Sequence, residues 1–121
     1  MKKRTYIGEK TNHKTVYVER PGMWYDGANI DVGIAPLIRA LWDSGFDTSH
    51  CCEGTKKERA YIQFTSWCAA TQFVSMATGV VDSCVAEYDS DGCAVVRFPK
   101  RFIPKLTTKL RGVICCSAMY D

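Results

Sequence analysis

The clearest hydrophobic pattern in the chain is an apolar stripe at helical spacing within residues 31–44. Its members recur three or four positions apart, as on one face of an α-helix: Ile34, Leu37, Ile38, Leu41 and Trp42. Asp31 is a candidate N-cap, and Gly45 stands where a C-terminal cap belongs. Pro36 is tolerated only in the first turn, because deeper in a helix it removes a backbone hydrogen bond. We therefore predict a helix over residues 31–44 with its stripe in the core.

A second stripe predicts a helix over residues 66–78. Thr65 or Ser66 is the candidate N-cap, and Gly79 is the residue expected to end the helix. Its members share one face and are expected to be buried: Trp67, Ala70, Phe73, Val74 and Ala77.

Short apolar and β-branched runs on either side of this second helix predict strands. Two runs precede it, 47–52 and 60–64, and two follow it, 80–88 and 93–98. Within 60–64 the alternation of apolar positions is typical of a half-buried strand. The segment 89–92 joins the last two runs, and its Asp-Gly pair favours a tight hairpin.

Helix–strand–strand, repeated twice, predicts an α+β fold. Such an order builds one four-stranded, mainly antiparallel sheet with two helices on one face, an αββαββ core related to ferredoxin-like folds. With 121 residues, we expect one domain made of an N-terminal hairpin (1–20), this core (31–98) and a basic C-terminal extension (99–121).

The two ends of the chain carry weaker signals. Thr5-Tyr6-Ile7 and Thr15-Val16-Tyr17-Val18 are β-rich and flank a polar turn, which predicts the hairpin. Pro21-Gly22 then breaks the chain, and the aromatic segment 23–27 is expected to be a loop because turn residues surround it. Near the C-terminus two alternatives stay open: a short helix that uses Leu106, Leu110, Val113 and Ile114, or an edge strand over 112–116.

Composition and charge narrow the class of protein. Hydrophobic residues make up 46% and charged residues 24%, which is ordinary for a soluble globular protein, and no apolar run reaches the roughly 20 residues of a membrane span. Seven cysteines without a secretory signal indicate reduced thiols and a cytoplasmic protein. The net charge of +3 is mild, but residues 97–111 hold six basic side chains and no acidic one. Such a stretch attracts phosphates, nucleic acid or acidic protein surfaces.

His50-Cys51-Cys52 is the segment that most suggests metal or thiol chemistry. Structural zinc sites present two ligands at Cys-x(2–4)-Cys spacing, and no such pair occurs here. Neighbours on a strand point to opposite faces, so His50 and Cys52 are the pair that could share an ion. Distant ligands would have to complete that set: His13, Cys68, Cys115 or Cys116. No catalytic-cysteine signature surrounds these residues, so we predict no catalytic residue, no metal and no cofactor.

The turn after this strand is the better candidate for a ligand site. Gly54 allows the backbone to approach a ligand closely, Lys56 and Arg59 supply cationic donors, and the helix that begins near Ser66 presents N–H groups that favour an anion. Aromatic side chains could stack on a base. The predicted ligand-binding residues are Trp24, Tyr25, Cys52, Glu53, Gly54, Thr55, Lys56, Arg59, Tyr61 and Ser66.

The stretch IAPLIRALWDSGFDTSHCCEG, followed by AYIQF, resembles the core of a family of small bacteriophage and prophage proteins. Their pattern is an apolar helix, Gly-(Phe/Tyr)-x-Thr, a strand ending in Cys-x-Gly, and an aromatic strand. Thr48, Cys52 and Gly54 match it, whereas Thr55 stands where many relatives have histidine. The same arrangement is more faintly similar to the wybutosine-synthesising tRNA methyltransferases, which bind a nucleoside-containing cofactor.

Three functions remain open from the sequence. The first is a non-catalytic protein that binds an anionic, nucleotide-like ligand; for a phage protein, one version is sequestration of a host defence signal. The second is an inhibitor that binds a host protein through its basic tail or aromatic loop. The third is a small cysteine/histidine enzyme or zinc protein. A homodimer is expected because small sheets have open edges.

Overall fold

The computed structural model describes residues 13–20, 23–81, 84–88 and 93–115; for residues 23–26 and 88 it describes the backbone alone. The elements, in chain order, are β1 (Thr15–Arg20), β2 (Met23–Asp31), α1 (Ala35–Asp43), β3 (Thr48–Cys52), β4 (Ala60–Phe64), α2 (Trp67–Ala77), β5 (Val85–Tyr88), β6 (Ala94–Phe98) and α3 (Ile103–Lys109), the last preceded by a 3-10 helix over Lys100–Phe102. Within the described ranges, no helix has the length and apolar character that crossing a membrane requires.

The predicted α+β fold is confirmed. The larger sheet has the strand order β3-β4-β6-β5, and every neighbouring pair is antiparallel. It follows that β4 and β5 run parallel with β6 between them, so β4, α2 and β5 form the split β-α-β unit found in ferredoxin-like folds. Phe73 of α2 packs between Phe64 of β4 and Phe98 of β6, with ring centroids 5.3 Å and 6.2 Å away.

The helix α1 has the predicted buried stripe but a later start. Its stripe is buried throughout: Ile34, Leu37, Ile38, Leu41 and Trp42. It ends at the predicted place, because the N–H of Gly45 donates to Trp42 and the N–H of Phe46 to Leu41, the two bonds of a Schellman motif. Gly45 has φ +89°, which favours glycine. The prediction that Asp31 caps this helix is wrong, since Asp31 is the last residue of β2.

The helix α2 has the predicted cap and a slightly rotated buried face. The hydroxyl of Ser66 accepts a hydrogen bond from the N–H of Ala69 at 3.1 Å. Trp67 was expected in the core but is 44% exposed. The buried face instead comprises Ala69, Ala70, Phe73 and Ala77. The docking of Phe73 between two strands sets the rotation of the helix, and that rotation turns the first residue outward.

An N-terminal hairpin is present, with a different second strand from the one expected. It pairs β1 with β2 in antiparallel register, from Thr15 opposite Asp31 to Glu19 opposite Gly27. The prediction of a loop over 23–27 is therefore wrong. The other predicted strand, residues 5–7, lies outside the described residues, as does the break at residues 21–22.

The start of one strand and the C-terminal extension also need correction. Val80 and Val81 belong to the turn that follows α2, so the strand predicted to begin at 80 begins at Val85. The predicted turn 89–92 lies outside the described part of the chain. Of the two alternatives for the C-terminal extension, the helix is the one observed: α3 buries Leu106 and is followed by the buried Leu110. It ends at Lys109, so Val113 and Ile114 do not belong to it as predicted. The described residues of the expected edge strand, 112–115, are not a strand.

Candidate functional site

Three strand ends meet on one side of the molecule and bring together three side chains with different donor atoms. His13 lies two residues before the start of β1, Asp31 ends β2 and Cys52 ends β3. Thr15 pairs with Asp31, which places the start of β1 beside the end of β2. A ring nitrogen of His13, a carboxylate oxygen of Asp31 and the sulfur of Cys52 all lie within 4.8 Å of one another. We call these three residues the triad.

Glu53 contacts two members of the triad, His13 and Asp31. Its carboxylate accepts a hydrogen bond from the N–H of Gly33 at 2.6 Å and lies 3.2 Å from Nδ1 of His13. Its own backbone N–H donates to Oδ2 of Asp31 at 3.1 Å. Nζ of Lys100 is 3.6 Å from the same carboxylate. One residue thus touches two members of the triad and links them to the segment after β6.

The two ring nitrogens of His13 differ in their contacts: Nδ1 contacts Glu53, whereas Nε2 has no hydrogen-bond partner among the described residues. An ionised carboxylate only accepts hydrogen bonds, so the contact with Glu53 puts the proton on Nδ1. Nε2 is also buried. Since buried polar atoms are nearly always hydrogen-bonded, this nitrogen is the one that a polar partner or a metal ion could still reach.

The loop after Cys52 folds back on itself through Gly54 and Thr55. Gly54 has φ +80°, and a Cβ there would lie 2.7 Å from the carbonyl oxygen of Glu58, so glycine is required for the loop to fold back on itself. The hydroxyl of Thr55 accepts hydrogen bonds from the N–H groups of Lys57 and Glu58, which closes the turn. Gly54 and Thr55 therefore shape the loop.

Cationic side chains from a second segment lie at the same end of the sheet. Ala60 pairs with Phe98, so the residues before β4 and those after β6 leave the sheet together. The exposed cations there are Lys56, Lys57, Arg59, Lys100 and Arg101. We call these five residues the basic end.

Arg59 also lies close enough to Cys84 to influence it. Burial raises the pKa of the Cys84 thiol to about 11, while the positive charge of Arg59 opposes this rise. Cys84 is therefore a protonated, poorly nucleophilic thiol at neutral pH, as expected for a cysteine that packs against the core.

The structure separates Ser66 from the basic end. Ser66 follows β4, whereas Lys56 and Arg59 precede it, and a five-residue strand is roughly 13 Å long. The residue before Ser66 contacts the start of β3 instead: the N–H of Thr65 donates to the carbonyl of Asp47 at 3.1 Å. The expectation that the N-terminus of α2 joins the loop in one anion pocket is therefore wrong.

The three predicted stacking aromatics are not equivalent. Tyr61 is buried at 6% exposure, opposite Cys52 in the sheet, with the guanidinium of Arg97 5.8 Å from its ring centroid. Its ring is thus largely covered by the protein itself. Trp24 and Tyr25 belong to β2 by their backbone, and the predicted role of their side chains lies outside the described part of the structure.

The pair His50 and Cys52 is not brought together as a metal site. His50 is exposed and its Nδ1 lies 2.6 Å from Oε1 of Gln63. Cys52 instead joins His13 and Asp31. Sequence reasoning named His13 only as a distant ligand and assigned Asp31 to a helix cap. The available signal is an acidic residue at the end of a strand; the sequence hides it because residues 23–27 are predicted as a loop and Asp31 as a helix cap.

A shallow groove of about 430 Å³ lies elsewhere, between the end of α2 and α3. It is lined by Gly79, Val80, Pro104, Lys105 and Thr108. With a single charged residue in its lining, it offers far less to an anion than the basic end does.

Comparison with protein-family models, with curated proteins and with solved structures finds no match to this chain.

Proposed function

We propose that this protein is a small, non-catalytic binding protein for an anionic, nucleotide-like ligand, which it holds at the basic end. The observation that carries the proposal is the convergence of Lys56, Lys57 and Arg59 with Lys100 and Arg101 from a second segment. The contact between Lys100 and Glu53 links the two segments.

The chemistry of these side chains suits a phosphate-bearing ligand. Guanidinium and ammonium groups donate charge-assisted hydrogen bonds to phosphate oxygens, and each such bond contributes roughly 1.5–3 kcal/mol. The loop that carries three of the cations is held in one conformation by Gly54 and Thr55. A preformed loop loses little conformational entropy when a ligand binds, which favours affinity.

The biological part of the proposal follows from the resemblance to phage proteins. A small phage protein that binds a nucleotide in the cytoplasm of its host can sequester a signal of host defence without any catalysis. The proposal includes a homodimer, since β3 and β5 are the edge strands of the larger sheet.

The test is a double substitution at the basic end. We expect Lys56→Ala with Arg59→Ala to weaken binding of a nucleotide by tens-fold or more, because two charge-assisted bonds are lost. Binding of ATP and of a cyclic dinucleotide would be measured by isothermal titration calorimetry at low and moderate salt. Adenosine serves as the uncharged match, and inorganic triphosphate as the match without a base.

Two matched variants are the controls. Lys105→Ala with Lys109→Ala removes the same charge from α3, and Cys51→Ser alters a thiol beside the triad; both should bind like the wild-type protein. Equal binding of ATP, the cyclic dinucleotide and triphosphate by the basic-end variant and the wild type would refute the proposal. Loss of binding only in the α3 variant would favour the alternative, in which the basic tail docks on a host protein or on nucleic acid.

A further inference from the structure

We propose that His13, Asp31 and Cys52 form a binding site for one divalent transition-metal ion, and that Zn²⁺ fits it best. The three donor atoms come from three strand ends and converge within 4.8 Å. The proposal concerns residues outside the basic end and is independent of the binding function proposed for that surface.

The donor set selects the class of metal. Nitrogen, sulfur and carboxylate oxygen are the ligands of zinc and its neighbours, whereas Mg²⁺ and Ca²⁺ prefer oxygen alone. Ligand atoms on a tetrahedral zinc ion lie roughly 3.3–3.8 Å apart, given bond lengths of about 2.0–2.3 Å. The donor atoms of the triad, which lie within 4.8 Å of one another, must therefore move closer together to bind an ion.

Charge and burial support a cation at this place. Asp31 is 2% exposed and Cys52 9% exposed, so an ion held between them would be largely shielded from solvent. A divalent ion would offset the charges of the Asp31 carboxylate and a Cys52 thiolate together. With three protein ligands, a tetrahedral ion keeps one position for water or for a ligand.

The contact between Glu53 and His13 is what distinguishes this cluster from a chance encounter of polar groups. Metal-bound histidines commonly donate their other N–H to a carboxylate, which orients the ring and makes the ligating nitrogen more basic. Here Nδ1 meets the Glu53 carboxylate at 3.2 Å, and Nε2 is buried with no hydrogen-bond partner among the described residues. Nε2 is thus the nitrogen assigned to the metal.

The first test is metal content. The protein, purified without chelator, should contain about one zinc ion per chain. Inductively coupled plasma mass spectrometry measures this content. His13→Gln should reduce this content to roughly a tenth or less, because the loss of one of three ligands weakens binding by orders of magnitude. His50→Gln and Cys51→Ser remove the same ligand types from neighbouring positions and should keep the ion.

A titration keeps the test decisive if the metal is lost during purification or if variants of buried residues fold poorly. Zn²⁺ added to metal-free wild-type protein against a competing chromophoric chelator should bind at one equivalent and raise the melting temperature. Co²⁺ should give the absorption of a tetrahedral site with a thiolate-to-metal charge-transfer band. Cys52→Ser should abolish that band, whereas Cys51→Ser should preserve it.

Glu53→Gln tests the positioning residue separately. We expect zinc affinity to fall about 10- to 100-fold while the one-to-one stoichiometry and the melting temperature of the metal-free protein are unchanged. A lower melting temperature with unaltered affinity would show that Glu53 serves the fold alone.

Two results would overturn the site itself. One is a wild-type protein that neither contains zinc nor binds added Zn²⁺ or Co²⁺ stoichiometrically. The other is loss of the ion in His50→Gln with retention in His13→Gln, which would transfer the site to His50 and Cys52. Nucleotide binding by the basic end is measured in separate experiments. The proposal of a metal site and the proposal of nucleotide binding can therefore fail independently of each other.

Discussion

At the scale of the residue, glycines decide how closely the parts of the site approach. A Cβ on Gly33 would lie 2.5 Å from Oε1 of Glu53, so a side chain there would require the Glu53 carboxylate to shift. Gly54 has a positive φ that L side chains rarely adopt. The glycine of the Cys-x-Gly motif thus has a structural role: it turns the chain from β3 into the basic loop.

The raised pKa of Cys84 makes a prediction about its reactivity. Only the thiolate is alkylated, and a shift from 9.0 to about 11 lowers the thiolate fraction roughly 100-fold at any pH below 9. Site-resolved mass spectrometry with iodoacetamide should therefore show slow labelling of Cys84 in the native protein. Its rate should rise about tenfold per pH unit between about pH 7 and 10, without levelling off near pH 9.

The same cysteine in urea-unfolded protein is the control for this measurement. Unfolding removes the burial that raises the pKa, so its labelling should accelerate at least about 100-fold at pH 8. A native rate that already levels off near pH 9 would contradict the desolvated environment.

At the scale of the element, α1 shows how a short helix is determined by packing and by its end. It has nine residues, no side-chain N-cap and no charged side chain aligned with its dipole at either end. A helix of this length is marginal in isolation, so burial of its stripe must supply most of its stability. The Schellman motif at Gly45 satisfies the final carbonyl groups and directs Phe46 into the core.

Leu41→Ala tests the role of that stripe. Leu41 is fully buried, so the substitution should lower the free energy of unfolding by roughly 2–5 kcal/mol through lost burial and a residual cavity. Arg39→Ala, on the exposed face of the same helix, should change it by less than about 0.5 kcal/mol. Urea unfolding followed by circular dichroism gives both values; similar losses for the two variants would argue against the packing of α1.

At the scale of the whole molecule, Arg20 joins the hairpin to the rest of the fold. Its guanidinium lies 4.2 Å from the ring centroid of Trp42, donates to the carbonyl of Thr48 at 3.1 Å and pairs with Asp47. Trp42 itself donates to the hydroxyl of Thr48 at 2.9 Å. The last residue of β1 thus contacts both α1 and the start of β3.

Arg20→Ala should loosen the hairpin while leaving the larger sheet in place. Asp47 is 61% exposed, so its ion pair with Arg20 contributes little to the stability of the hairpin. The hydrogen bond to Thr48 and the stacking on Trp42 together stabilise it by about 1–2 kcal/mol. Hydrogen exchange should show faster opening of β1 and β2 than in the wild type, with β4 and β6 unchanged. Arg97→Ala, which removes an exposed pair with Glu87, is the matched control. Uniform acceleration across all strands would mean that hairpin and sheet unfold as one unit.

This coupling extends through the hydrophobic core. Buried residues from the hairpin, the larger sheet and the C-terminal extension form one cluster: Val18 and Ile30, then Ile62 and Val96, then Ile103, Leu106 and Leu110. The segment predicted as a basic extension is therefore amphipathic. Its apolar side completes the core, and its lysines and arginines face solvent.

The sequence predicts correctly those features whose signal lies within a short segment of the chain. The predictions are wrong where contacts with a distant segment determine the conformation. The stripe of α1, the Ser66 cap and the alternation in β4 each lie within one window of the chain. The strand β2 was missed because Asp26 and Gly27 are turn-forming residues. Glycine suits position 27 of this strand, because a Cβ there would lie only 2.4 Å from the hydroxyl of Tyr17 in the opposite strand.

By itself, the sequence determined the α+β class, the two helices of the core and the strands around them, because hydrophobic periodicity and capping act between neighbours in the chain. Only the tertiary structure decided which polar residues meet. His13 lies just before β1, and Asp31 and Cys52 end β2 and β3, so their convergence depends on the pairing of β1 with β2 and on the docking of β2 against β3. Strand pairing and docking are set by packing across the whole core, which no single segment of the sequence encodes.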